Sequence, residues 1–232
     1  MSGPVTTASA SVAPARGVPA RTVLPGRYCR LEPLEAARHA PDLWRALAGH
    51  DRLWDFLMQG PFADEADFTA YLAEREDRSE ALFYIVVDAA NGQAVGWASL
   101  MEIRPAHGVI EVGNVLFSPL LQRTPMATEA IALLAAYVFD ELGYRRFEWK
   151  CNALNAASRR AAVRFGFTFE GIFRQHMIVK GKNRDTAWFA MLDSEWPARR
   201  ATFAAWLDPA NFDADGQQRI ALSTLQSTKD NG

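Results

Sequence analysis

The chain has 232 residues, 49% hydrophobic and 22% charged, which suits one ordinary domain with a full-sized core or two very small ones. A formal net charge of −2 calls for neither nucleic acid nor an anionic membrane surface, and no apolar run approaches the roughly 18 residues of a membrane-spanning helix. The two cysteines, Cys29 and Cys151, make neither a metal-ligand spacing nor a disulfide framework, and they read as reduced, buried thiols of a cytoplasmic protein without a metal.

Residues 1–21 are rich in Ala, Val, Pro, Ser and Thr and lack the apolar run of a secretory signal, so they read as a disordered leader. The ordered domain is expected over 22–207. Arg27 to Leu31 reads as a short strand, and Leu34 to Leu47 as two helices or one kinked at Pro41. Asp51 to Phe62 is dense in large apolar residues and ends on the turn signal Gly60-Pro61. Asp64 can cap a helix running to Arg78. The period then changes. Ala81–Val87, Gln93–Ile103 and Val109–Phe117 are three strand-forming runs separated by Asn91-Gly92 and His107-Gly108, an antiparallel meander. From Met126 to Leu142 a stripe of Ile131, Leu134, Val138 and Leu142 predicts the longest helix, stopped by Gly143. Arg146–Cys151 is a strand with Phe147 and Trp149 alternating. Asn155–Phe165 is a short helix. Phe167–Lys180 and Arg184–Leu192 form a last hairpin, and Trp196–Leu207 a final helix. The tail, 208–232, carries Asp-Pro and Asp-Gly and reads as flexible. This order predicts an α/β (α+β) three-layer fold, a mixed and mostly antiparallel twisted sheet of about seven strands flanked by helices.

The segment from Val115 to Ala130 joins a strand to the long helix. Such a junction leaves main-chain N–H groups pointing outward, and with the helix dipole they suit an anion. Arg123 can add a charge-assisted hydrogen bond, and Thr124 or Thr128 a hydroxyl. The alternative is an ordinary turn that binds nothing.

This run resembles motif A of the GNAT acetyltransferases, Gln/Arg-x-x-Gly-x-Gly/Ala, which cradles the pyrophosphate of coenzyme A. Gln122 stands at the first position and Ala127 at the last. Pro125 replaces the middle glycine and removes one N–H, at a place where the first turn of a helix tolerates proline. Asn155-Ala-Ala-Ser158 followed by Gly166-Phe167 resembles motif B. Glu170-Gly171 and Arg184-Asp185-Thr186 resemble the RimJ/RimL-like ribosomal-protein N-acetyltransferase branch. The resemblance covers roughly residues 25–195 and implies an acetyl-CoA-dependent N-acetyltransferase acting on a primary amine, a protein N-terminus or a small molecule, as monomer or homodimer. It places the pantetheine arm beside the backbone of Val115, Leu116 and Phe117, and the phosphates at Gln122, Arg123, Thr124, Met126, Ala127 and Thr128.

The same resemblance makes Ser158 the acid for the departing thiolate, unless it only bonds within its helix. Asn155 orients the pantetheine region, caps its helix, or does both. The branch commonly carries a glutamate base on the strand that here reads Phe173-Arg-Gln-His-Met177. Met177 stands at that place with His176 beside it, and Glu111 on the strand before motif A is the other candidate base. Asp185 reads as structural, paired with Arg174 or Arg184. Trp54, Phe56, Phe62 and Trp97 either line a groove for an apolar or flat substrate or belong to the core. The competing reading is a catalytically inactive acyl-CoA sensor, which Pro125 and the missing glutamate would suit. A third is an interaction protein of similar fold with no coenzyme A site.

Overall fold

The computed structural model describes residues 12–227. The disorder expected of residues 1–11 and the flexibility expected of 228–232 concern residues outside those described. A single twisted sheet of eight strands runs in the order β1-β2-β3-β4-β5-β6-β8-β7. Its strands are β1 (Leu24–Pro25), β2 (Cys29–Pro33), β3 (Ala81–Asp88), β4 (Ala94–Arg104), β5 (Val109–Phe117), β6 (Arg146–Asn152), β7 (Thr168–Val179) and β8 (Lys182–Leu192). Every neighbouring pair is antiparallel except β5 and β6. The strand beyond the expected seven is β1, whose two residues are too short to leave a periodic signal.

Helices cover both faces. On one lie α1 (Ala36–Leu47) and α2 (Glu65–Glu76), packed on Phe83, Ile85, Val87 and Trp97. On the other lie α3 (Pro125–Ala136), α4 (Ala156–Arg164), α5 (Trp196–Trp206) and α6 (Leu222–Ser227), with Tyr84, Val86, Phe147 and Phe189 beneath them. The alternation along β3 divides its side chains between the two cores. Asp64 caps α2, accepting from the Asp67 N–H at 2.9 Å.

α1 is one helix through Pro41, not two. Its buried residues Ala36, His39, Ala40, Leu43, Ala46 and Leu47 keep helical spacing along one face, and Pro41 sits on the exposed side, where its ring costs one main-chain bond. α3 starts at Pro125 and passes into a π-helical turn, Tyr137–Glu141, before Gly143.

Both ends of the described chain are held. Ala15 N–H donates to Pro105 O at 3.0 Å, Arg16 N–H to Leu142 O at 2.8 Å, and Ala20 N–H to the Tyr137 hydroxyl at 2.8 Å. Residues 15–21 are therefore a strap over the domain rather than a loose leader. Beyond Leu207 the tail folds back as well. Asn211 is buried, donating to Trp206 O and accepting from Ile220 N–H, while Trp206 Nε1 donates to Gln218 and Leu222 enters the core at 1% exposure. The polar residues that read as a flexible tail serve as internal hydrogen-bond partners over 208–227.

Candidate active site

The parallel pairing of β5 with β6 lasts only from Val109↔Arg146 to Val112↔Trp149. β6 continues along β8 as far as Asn152↔Thr186, so the two strands part beyond Val112 and Gly113–Phe117 has no strand neighbour on that side. A β-bulge shapes the parting. The register with β4 shifts between Trp97 and Ser99, and Asn114 adopts a left-handed φ of 51°. Ser99 Oγ donates to Gly113 O at 3.1 Å and accepts from Asn114 Nδ2 at 2.9 Å, fixing the bulge from below. The bulge changes the phase of the strand. Ile110 and Val112 face the α3 side, as do Val115 and Phe117, whereas Leu116 belongs to the α1 side.

After Phe117 the chain turns sharply into α3. The Leu121 and Gln122 amides both donate to Ser118 O, at 3.0 and 2.9 Å, and Arg123 is left-handed at φ 62°. The amides of Arg123, Met126 and Ala127 have no acceptor among the described residues. They stand at the N-terminus of a helix whose first residue, Pro125, has no N–H to offer. The neighbouring side chains divide. Arg123 is exposed and free to reach outward. Gln122 Nε2 closes the turn on Phe117 O at 2.8 Å, and Thr124 Oγ1 donates to Leu121 O at 2.7 Å. Thr128, expected at the anion site, is fully buried and its hydroxyl accepts from Arg164 Nη1 at 2.9 Å, which removes it from any ligand.

At the apex of the parting strands stands α4. Asn155 caps it, its Oδ1 accepting from the Ser158 N–H at 3.0 Å. Ser158 Oγ accepts from Trp149 Nε1 at 3.0 Å, so its own proton can turn to the neighbouring Cys151 sulfur or to a ligand. Trp149 is the last β6 residue paired with β5, so Ser158 is held where the gap opens. Cys151 lies alongside; burial pushes its thiol up, and Ser158 partly opposes this.

The α1-side face of β5, β6 and β8 carries a chain of charges. Lys150 Nζ lies 2.8 Å from Glu111 Oε2 and 2.9 Å from Glu148 Oε2, and sits 4.1 Å above the Trp188 ring. Arg104 and Arg146 bond Glu148 at 2.9 and 2.7 Å, and Arg146 also grips Glu170 at 2.8 and 2.5 Å. Burial pushes the Glu111 carboxyl above its usual range against the pull of Lys150. Burial acts on Glu148 too, but hydrogen bonds from Arg146 and Lys150 outweigh it and hold that group low. Glu111 Oε1, the oxygen Lys150 does not hold, lies 3.3 Å from where a Cβ on Gly113 would stand, at the start of the unpaired stretch.

His176 occupies an irregular part of β7. The register moves from Phe173↔Thr186 to Met177↔Arg184, leaving three residues opposite Asp185 alone. Asp185 organises them, accepting from the Gln175 N–H at 2.7 Å and Asn183 Nδ2 at 2.9 Å, rather than pairing with Arg174 or Arg184. His176 Nδ1 meets Thr186 Oγ1 at 3.0 Å, and Phe173 stacks on Trp188 at 4.6 Å. Three strand spacings of about 4.8 Å separate β7 from the β5 strand of Glu111. The two candidate bases therefore do not share a site, and only Glu111 borders the gap.

The four aromatic residues expected around a substrate are not a groove. Trp54 and Trp97 are 4% and 1% exposed, with ring centroids 5.9 Å apart, and Phe62 meets Trp54 edge-on at 5.2 Å. They build the second core, the common fate of large apolar residues. Phe56 alone stands exposed. The hairpin reaches this segment, for Lys180 Nζ donates to Trp54 O and Gly60 O at 2.9 and 2.8 Å. Sequence reasoning missed Lys150 and Glu148, and gave Arg184 no role beyond the branch resemblance and a pairing with Asp185. The alternation of Phe147 and Trp149 does imply that Arg146, Glu148 and Lys150 share the opposite face, but it does not say that they roof an inner site. Among the described residues no group of three or more His, Cys, Asp or Glu could hold a metal ion, and no helix is long and apolar enough to cross a membrane.

The family described as "Acetyltransferase (GNAT) domain" matches residues 29–168. The chain is similar to a solved GCN5-related N-acetyltransferase from Brucella melitensis, with 49% identity, a TM-score of 0.90, and coverage of 93% of this chain and 98% of that one. A GNAT-family acetyltransferase structure from Chromobacterium violaceum aligns at 44% identity and a TM-score of 0.79, over 84% of this chain and all of that one. The Bacillus subtilis protein named "Putative ribosomal N-acetyltransferase YdaF" is 25% identical over 73% of this chain and 92% of its own length.

Proposed function

The chain belongs to the GNAT acetyltransferase family, and from that premise we propose that it is of the RimJ/RimL-like branch and moves the acetyl group of acetyl-CoA onto a primary amine by direct attack in a ternary complex. One observation carries the reading. The unpaired backbone of Gly113–Phe117 has three free amides beyond one end and a buried carboxylate at the other. The amides of Arg123, Met126 and Ala127, with the Arg123 guanidinium, suit a diphosphate. The open flank of β5 suits the amide-bearing pantetheine arm, paired as an added strand. The residues present fit the ligand, and Pro125 removes a donor that the other three offset.

When bound, acetyl-CoA supplies an activated thioester. The protein's own groups do the rest. Glu111 Oε1 takes the proton of the attacking amine, and its burial makes it a better acceptor than a solvated glutamate. Lys150, fixed by Glu148 and Trp188, keeps Glu111 in place. Ser158 Oγ, aimed by Trp149 and by the Asn155 cap, gives its proton to the departing sulfur. An N-terminal amine, with a pKa of about 7.7–8.0, needs only mild help from such a base, unlike a lysine at about 10.4.

Calorimetric titration with acetyl-CoA and a thiol-release assay over a panel of amines test the proposal together. Binding with turnover supports it. Binding without turnover on any amine favours the sensor, and no binding at millimolar acetyl-CoA overturns both.

A further inference from the structure

The β7–β8 hairpin carries a cation that the protein leaves unsatisfied. Arg184 on β8 is half-buried, yet among the described residues it makes no hydrogen bond and has no carboxylate within salt-bridge distance, and its Nε is shielded from solvent without an acceptor. Elsewhere in this sheet, inward arginines are matched. Arg146 has two carboxylates and Arg104 has one. A guanidinium removed from water without a partner is costly, and burial does push its pKa below the usual arginine range, with Glu111 drawing it the other way. Cys151 on β6 is also within its electrostatic reach. Arg184 thus addresses the mouth of the gap from the β8 side, with Glu111 on one flank and the Ser158 side on the other.

Two further observations agree. Trp188, four residues along the strand and so on the same face, buries its indole N–H without an acceptor. Residues 174–185 hold four basic side chains, Arg174, Lys180, Lys182 and Arg184, against the single acid Asp185, in a chain whose net charge is −2. That one acid is already occupied by Gln175 and Asn183. The local field therefore favours an anion at the acceptor end of the gap, away from the α3 N-terminus where the phosphates belong.

We infer that the acceptor amine carries a carboxylate, and that the Arg184 guanidinium binds it as a planar fork with the Trp188 N–H beside it. The inference rests on the acetyl-transfer reading above and specifies its substrate class. Arg184 is then a specificity-determining residue.

The test uses matched amines of nearly equal basicity: the dipeptide amides Ser-Asp-NH2 and Ser-Asn-NH2, and the α-amide of L-glutamate against the α-amide of L-glutamine. The wild-type enzyme is expected to favour the acidic member at least tenfold in kcat/KM. Arg184→Gln should bring that ratio within twofold of one while leaving acetyl-CoA affinity unchanged, and Arg184→Lys should keep part of it. A wild-type ratio near one overturns the inference. So does an Arg184→Gln variant that slows both members equally with the preference intact, which would assign the cation to the reacting carbonyl. Melting curves check that the variants fold. A binding arm decides the matter independently of turnover. N-acetyl-L-glutamate titrated into protein saturated with coenzyme A should bind the wild type at least tenfold tighter than Arg184→Gln, and equal binding or none overturns the inference. Failure of acetyl-CoA itself to bind would strike the acetyl-transfer reading instead.

Discussion

Glu129 offers the sharpest test of how the fold holds its anion-facing helix. It sits on the second turn of α3, 6% exposed, and its carboxylate accepts the main-chain N–H groups of Arg27, Tyr28 and Cys29 at 2.8, 2.6 and 2.7 Å. Each such charge-assisted bond contributes on the order of 1.5–3 kcal/mol. In Glu129→Ala, water can replace the partner of the exposed Arg27 and, in part, of Tyr28, but the Cys29 amide lies in the core. One buried unsatisfied amide, two weakened bonds and the vacated side-chain volume together give a loss of roughly 3–5 kcal/mol. At about 2–4 °C per kcal/mol for a chain of this size, the midpoint should fall by roughly 6–20 °C. Glu129→Gln can keep one oxygen on Tyr28 and Cys29 and should lose only about 1–2 kcal/mol. Thermal and urea unfolding followed by circular dichroism measures both. Gly26→Ala provides a control from the other side, because its Cβ would stand 2.7 Å from the Glu129 carboxyl carbon and 2.5 Å from Cys29 O. An alanine variant at 129 within about 1 kcal/mol of wild type would refute the reasoning.

Three predictions concern the chemistry. Glu111→Gln should lower kcat about 100-fold or more with acetyl-CoA affinity within about twofold, measured by thiol release and calorimetry. Because burial raises the Glu111 pKa and the group must be ionised to accept a proton, the acid limb of the wild-type kcat/KM profile should lie above the roughly 4.3 of a free glutamate and vanish in the Gln variant; an unchanged limb would assign it to another group. Ser158→Ala should reduce turnover about tenfold or more with little change in acetyl-CoA binding, and equal losses in both would remove it as the proton donor. Arg123→Glu should weaken acetyl-CoA by about tenfold, some 1.4 kcal/mol, through like charge beside the diphosphate, and an unchanged Kd would place Arg123 elsewhere.

The meander, the long helix and the motif-bearing turn were legible because each rests on a local period or on a short-range stop such as Asn91-Gly92 or Gly143. What escaped the sequence depends on partners far along the chain. Glu129 meets residues about a hundred positions earlier. Thr128 reads as a helix-start hydroxyl until Arg164 is seen to claim it. Arg146, Glu148 and Lys150 carry the periodicity of a solvated strand face, yet Glu148 is buried at 4% because the arginines on either side close over it. Ala15, Ala20 and Asn211 lie in stretches whose composition signals disorder, and hydrogen bonds to distant parts of the domain or within the folded tail hold them. Trp54 and Trp97 had two readings of equal pattern, and only packing chose between them.

The left-handed residue at Asn114 makes the open gap depend on the length of β5. Deleting one residue between Val112 and Val115 would remove the bulge and restore an unbroken alternation that keeps Val115 and Phe117 on the α3 side and Leu116 on the α1 side. Such a shortened chain would keep both hydrophobic layers and lose only the bend, leaving its straightened β5 free to continue pairing with β6 past Val112. Closing the gap would then cost the cores nothing, so a one-residue deletion here should yield a folded protein that has lost its ligand, a failure no substitution scan of the surrounding side chains would reveal.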